Sequence, residues 1–133
     1  MNSQVTNNDR YLVETPNGWK DFSGVRKSVS KNTITVTTHT GNSLEMTEDH
    51  LVMTSFGWTT AKELVVDDRL ITRDGYQLVN SIHQDKFSSK ESEVYDALEV
   101  SGGSQYYTND ILSHNCNFLG SSGTLISGSK LKQ

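Results

Sequence analysis

Asn115 stands between His114 and Cys116, and each of the three residues brings a distinct reactivity to one peptide bond. The side-chain amide nitrogen of an asparagine can attack its own main-chain carbonyl, closing a five-membered succinimide and breaking the bond to the next residue. An imidazole titrates near neutrality and can hand a proton to the departing amide nitrogen. A thiol, once deprotonated, is the best nucleophile among ordinary side chains. The tripeptide alone is weak, because most such occurrences are surface accidents. Two further groups change the weighting. Thr47-Glu48-Asp49-His50 ends a strand-like run and sets a hydroxyl and an imidazole three residues apart at a turn, an arrangement able to polarise one peptide bond. Asp96 lies inside the largely apolar run Val94 to Val100, where an unpaired carboxylate would be costly. Each has a plainer reading: Thr47 caps a turn, His50 is a satisfied histidine, and Asp96 is an outward-facing strand carboxylate.

Short strands must position these groups. Thr33 to Thr38 is rich in β-branched residues, His39-Thr40-Gly41-Asn42 has turn chemistry, and Ser43 to Thr47 alternates again, which predicts a β-hairpin. Similar runs occur at Tyr11 to Glu14, Leu51 to Thr54, Arg69 to Thr72, Tyr76 to Ile82, Val94 to Val100 and Gln105 to Leu112. Turn signals separate them at Asn17-Gly18, Phe56-Gly57, Asp74-Gly75 and Gly102-Gly103. The expectation is an all-β fold with at most one helical turn, at Thr60 to Leu64, where Thr59 or Thr60 caps the start and Glu63 closes a capping box. Phe87 to Glu93 reads as an exposed polar loop. After Cys116 the chain turns rich in Gly and Ser and reads as a flexible linker or a piece of another protein.

Composition narrows the function classes. The 133 residues suffice for one domain with its own core. Cys116 is the single cysteine, so a disulfide framework is excluded. A net charge of −4, from 12 basic and 16 acidic side chains without a basic run, argues against nucleic acid as a direct partner. No apolar stretch approaches the roughly 18 residues a membrane helix needs, and Met1-Asn2-Ser3-Gln4 lacks the form of a secretory signal. A reducing cytosol with a free Cys116 thiol is expected.

The order and spacing of these elements resemble those of Hint domains, specifically inteins, which excise themselves from a host protein and join its flanks. The match covers approximately residues 5 to 116. Val13-Glu14-Thr15-Pro16-Asn17-Gly18-Trp19 is similar to the first block after the upstream nucleophile. Gly41 to His50 resembles the second block with its Thr-x-x-His, and Gly57-Trp58-Thr59-Thr60-Ala61-Lys62-Glu63-Leu64 the Gly-Trp-x-x-Ala-x-x-Leu that follows it. Val94 to Val100 and Tyr106 to Cys116 look like the last two blocks. The resemblance implies a horseshoe of short β-strands bringing both ends of the intein together. It assigns Thr47 and His50 to the upstream junction, Asp96 to coordinating the steps, His114 and Asn115 to downstream cleavage, and Cys116 to the first position of the downstream host segment. It implies no cofactor and no metal, and a single-turnover autoprocessing protein rather than a turnover enzyme. The short connection from Asp68 to Glu93 leaves no room for a homing endonuclease, which makes this a mini-intein. Residues 1–4 then form an upstream flank, 5–115 the splicing domain, and 116–133 the downstream segment. Asn117 to Gly128 resembles the large terminase subunit of T4-like phages. The implied partners are the flanking terminase polypeptides, or a complementary fragment if the intein is split, and the implied location is the cytoplasm of a phage-infected bacterium.

Two departures from the family pattern stand out. Inteins usually begin with cysteine or serine about seven residues before the position of Val13; that count lands on Thr6, and no cysteine lies upstream. Thr6, Gln4 and Ser3 are the candidates for the upstream nucleophile position, and inactivation there would look the same. The histidine usual before the last strands is Ser104 here, so the activation of Asn115 must differ. Two other classes compete: a non-catalytic β-rich binding module, which leaves the ordered motifs unexplained, and a cysteine hydrolase, whose nucleophile would sit at the root of a flexible tail rather than at a site that lowers its pKa.

Overall fold

The computed structural model describes residues 4–7, 11–30, 32–84, 92–98, 100–101, 105–114 and 129–131, and structural statements below concern these. They form fourteen strands: β1 Gln4–Asn7, β2 Tyr11–Thr15, β3 Gly18–Asp21, β4 Gly24–Ser30, β5 Thr33–Thr38, β6 Ser43–Thr47, β7 Leu51–Thr54, β8 Gly57–Thr60, β9 Arg69–Thr72, β10 Gly75–Gln84, β11 Ser92–Leu98, β12 Gln105–Thr108, β13 Ile111–His114 and β14 Ser129–Leu131. A single 3₁₀ turn, Ala61–Glu63, interrupts them. The all-β expectation holds.

The largest sheet runs β12-β13-β7-β9-β10-β5-β6, with β8 paired to β7. Two three-stranded sheets, β1-β4-β11 and β14-β2-β3, complete the fold. The expected hairpin is β5 and β6, with Ile34 opposite Met46 and Val36 opposite Leu44; these four side chains alternate inward while Thr35 and Glu45 lie nearer the surface. The strand period of two thus sends one face to the core. Val13, Val36, Val52, Leu70, Val79, Tyr106 and Ile111, contributed by seven different strands, are fully buried in that core. Deleting such a side chain to Ala costs on the order of 2–5 kcal/mol for a large aliphatic residue.

Two hairpins close on the same pattern, Thr15-Pro16-Asn17-Gly18-Trp19 between β2 and β3 and Thr54-Ser55-Phe56-Gly57-Trp58 between β7 and β8. In each, the threonine hydroxyl donates to the glycine carbonyl, at 2.8 Å for Thr15 and 3.0 Å for Thr54. It also accepts from the amide two residues on, at 3.1 Å in both. The glycine sits at positive φ, 98° at Gly18 and 108° at Gly57, where a Cβ is disfavoured.

Several expectations are corrected. Gln105 to Leu112 is not one run but parts of two strands, because Asn109 and Asp110 adopt φ of 47° and 69°. Asn and Asp tolerate that left-handed region, which gives the two-residue hairpin turn its twist. Ser92 and Glu93 belong to β11 rather than to a loop; the rest of the expected 87–93 loop lies outside the described residues. The Gly/Ser tail contributes β14, so it is not linker throughout. At the 3₁₀ turn Thr60, not Thr59, is the cap: Glu63 Oε1 accepts from the Thr60 amide at 3.4 Å and from its hydroxyl. These two bonds hold the Glu63 carboxyl below its usual range, the hydroxyl contributing most.

Candidate active site

The turn Thr47 to His50 is built by local bonds. The His50 amide donates to the Thr47 carbonyl at 3.1 Å, and the Thr47 hydroxyl donates to Asp49 Oδ1 at 2.8 Å. The 3₁₀ turn clamps it from the other side. The Ala61 amide donates to the His50 carbonyl at 2.9 Å and the Lys62 amide to the Glu48 carbonyl at 3.1 Å. Thr-x-x-His and Gly-Trp-x-x-Ala-x-x-Leu are therefore two halves of one device, the second fixing the backbone of the first.

The His50 ring is fully buried, and its Nε2 shares a 3.0 Å hydrogen bond with Ser113 Oγ. Ser113 Oγ is bonded in turn to Thr108 Oγ1, and both hydroxyl residues are likewise fully buried. In the low dielectric of the interior such a chain fixes ring orientation more firmly than a solvated bond would. Ser113 and Thr108 were not among the sequence candidates. The signal was there in Ile111-Leu112-Ser113, a hydroxyl within an apolar strand whose three residues are all buried, since a buried hydroxyl requires a partner.

His114 follows Ser113 directly and ends β13, in register with Leu51 on β7 and Gln105 on β12. Its ring meets Trp58 edge-on, with centroids 4.9 Å apart and planes at 71°, so the Trp of the Gly-Trp motif orients the histidine preceding Asn115. The Thr47 to His50 turn and the strand leading to Asn115 thus share one site. Asn115, Cys116, Ser104 and Ser3 lie outside the described residues.

The other candidates gather on the β1-β4-β11 sheet. Thr6 pairs with Val25 and Gln4 with Lys27 on β4. Across β4, Asp96 pairs with Arg26 and Ala97 with Val25. At about 4.8 Å per strand spacing, the backbones of Thr6 and Asp96 are separated by a single intervening strand. The Thr6 side chain is exposed. This sheet is tied to the first group through Tyr106, which is fully buried and in register with Ser113; its hydroxyl accepts from the Ala97 amide at 3.4 Å. The structure therefore joins His50 directly to β13, the strand leading to Asn115, and sets Thr6 and Gln4 on β1, across β4 from the strand of Asp96.

Gly24 allows β1 its position. A Cβ there would lie 2.5 Å from the Thr6 carbonyl oxygen and 3.3 Å from its carbon, and backbone atoms yield little. Gly24→Ala is expected to lift β1 from β4 at a cost of about 1–3 kcal/mol, read as a lower urea midpoint. Ser113→Ala takes one buried hydrogen bond from each of His50 Nε2 and the Thr108 hydroxyl, a loss of about 1–3 kcal/mol, while Ser113→Thr keeps the hydroxyl; thermal unfolding of the three proteins checks this.

No protein-family model matches the chain, and no curated protein does. Solved structures do. A variant of the gp41-1 intein superposes with a TM-score of 0.67 at 28% identity, over 78% of this chain and 80% of that one. A consensus engineered intein with an atypical split site gives 0.65 at 27% identity, over 79% and 81%. The VidaL intein gives 0.67 at 25%, over 79% and 70%. With the described residues of the five ordered motifs placed on these strands, and these likenesses spanning most of its length, the chain is a mini-intein of the Hint fold.

Proposed function

We propose that the chain is an autocatalytic splicing element that breaks the bonds at both of its junctions and joins the flanks. The observation that carries the reading is the buried bond from His50 to Ser113, which ties the Thr-x-x-His turn to the strand running into His114-Asn115-Cys116. At the downstream junction, the Asn115 side-chain nitrogen attacks the Asn115 carbonyl carbon. The bond to Cys116 breaks, the chain before it ends in a succinimide, and the leaving nitrogen takes a proton from His114 to become the Cys116 amine. With Ser104 in the usual histidine position, His114, held by Trp58, is the acid we assign to this step.

Upstream, Thr47 and His50 polarise the scissile amide and protonate its nitrogen. A threonine at position 6 is a poor acyl acceptor because its hydroxyl is scarcely ionised at neutral pH. Cys116 supplies an alternative: its thiolate attacks the carbonyl carbon preceding the junction, the amide bond there breaks, and a thioester forms. After Asn115 cyclises, the freed Cys116 amine displaces the sulfur to give an ordinary peptide bond. Asp96, on the strand beside β4, is assigned to receive or hold the Cys116 proton. The flanks would be parts of a phage terminase large subunit, on the likeness of 117–128, and the setting the cytoplasm of an infected bacterium. Intact-mass analysis of purified chain carrying a host segment before residue 5 tests the reading: fragments ending at 115 and beginning at 116 support it, and a chain that keeps its full mass contradicts it.

A further inference from the structure

The last described strand has no role in that chemistry, yet it is paired. Ser129, Lys130 and Leu131 of β14 stand opposite Val13, Leu12 and Tyr11 of β2, antiparallel. The other edge of β2 is taken by β3, with Leu12 opposite Asp21 and Val13 opposite Lys20. We propose that the outer edge of β2 is a docking edge for the downstream flank, held as an added strand by main-chain hydrogen bonds. The inference rests on the reading of 116–133 as that flank.

The position of this edge gives the docking its purpose. Arg73 anchors β2 to the β12–β13 hairpin: Nη1 bonds Glu14 Oε1 at 3.0 Å, Nη2 bonds Asp110 Oδ1 at 2.7 Å, and the Arg73 amide donates to the Asp110 carbonyl at 2.9 Å. The edge therefore stands in a fixed relation to β13, from whose end the flank departs. Residues 115–128 separate the two paired strands in the sequence, and fourteen residues reach up to roughly 50 Å when extended. Tyr11 also lies five positions after Thr6, so the docking edge begins within roughly 18 Å of chain from the upstream junction. Restricting the flank this way raises the effective concentration of its first residue near that junction. An edge strand left bare would invite pairing with other chains; here the flank covers it. Recognition by backbone is tolerant of side chains and intolerant of proline, so the proposed ligand class is any extended proline-free peptide arriving about thirteen residues after the junction.

The test uses the full chain with Asn115→Ala, which retains its flank, and reads hydrogen exchange of the Tyr11 to Val13 amides. The double variant Lys130→Pro plus Leu131→Pro removes two adjacent amide donors, one of which must face β2, because alternate residues point to opposite edges. Exchange at the outward-facing β2 amide is expected to quicken at least tenfold in this variant, while the triple variant of 129–131 to Ala retains protection. Unchanged exchange in the proline variant overturns docking, and lost protection in the alanine variant overturns its main-chain character. A parallel time course with native Asn115 and a host segment upstream separates the two readings: proline-sensitive exchange without any cleavage supports docking and contradicts the splicing function. Cleavage and ligation with proline-insensitive exchange do the reverse.

Discussion

Asn115→Ala is expected to abolish release of the fragment that begins at Cys116. Alanine has no side-chain nitrogen, so the intramolecular attack that breaks the Asn115–Cys116 bond is lost. Well-oriented intramolecular reactions draw on effective molarities of about 10⁵ M or more, an advantage that neither water nor an added amine replaces. The variant is expected to keep the turn and strand network around His50, whose described bonds join Thr47, Glu48, His50, Ala61, Lys62, Thr108 and Ser113. The measurement is a time course of intact mass for parent and variant, in parallel with a urea titration that confirms equal folding. Release at the parent rate from the alanine protein would mean that cyclisation is not the route.

His50→Ala is expected to lower the upstream reaction by about 10²–10⁴-fold, the usual worth of a positioned acid or base, while downstream cleavage falls far less. The ring is fully buried, so part of any loss will be structural. His50→Gln separates the two contributions, because an amide can keep the bond to Ser113 without proton transfer near neutrality. With Thr6→Cys and a host segment upstream, hydroxylamine traps the thioester at that junction. Equal trapping in parent and His50→Gln would sink the assignment, and equal loss of both junction reactions would assign His50 a folding role only.

The parts of this molecule that local chemistry specifies were legible in its sequence. β-Branched alternation from Thr33 to Thr47 marked the β5–β6 hairpin, and Thr60 with Glu63 marked the 3₁₀ turn. What depends on distant partners was hidden. Gly24–Ser30 is mostly polar, with only Gly24 and Val25 buried among its described side chains, and it is a strand because β1 and β11 pair with it on both sides. β14 has the composition of a linker and acquires its form from the β2 edge. The candidates Thr47, His50 and His114 are legible by type and spacing, and the structure sets the Thr47 to His50 turn immediately before β7, which pairs with β13 at Leu51 and His114. Ser113 stands out in the sequence as a hydroxyl after two apolar residues, but such a residue does not name its partners; those appear only when the paired strands bring Thr108, Ser113 and His50 into one buried chain. Trp58, by contrast, belongs to a motif legible in the sequence, and its contact with His114 gives that motif a physical purpose.

The central claim, that this chain rearranges its own backbone at two junctions, is most directly tested by intact mass over time of a protein carrying a host segment before residue 5. Two forms are compared, the native Thr6 and the Thr6→Cys variant, each with and without Cys116→Ala. The account predicts slow or incomplete ligation in the native form, abolished by Cys116→Ala, and faster ligation once Thr6→Cys supplies a thiol acyl acceptor upstream. The product would have the mass of upstream segment plus residues 116–133, with the excised domain ending at a succinimide or asparagine at 115. A single unchanging mass in every form, or rapid ligation that survives Cys116→Ala in the native-Thr6 protein, would contradict it.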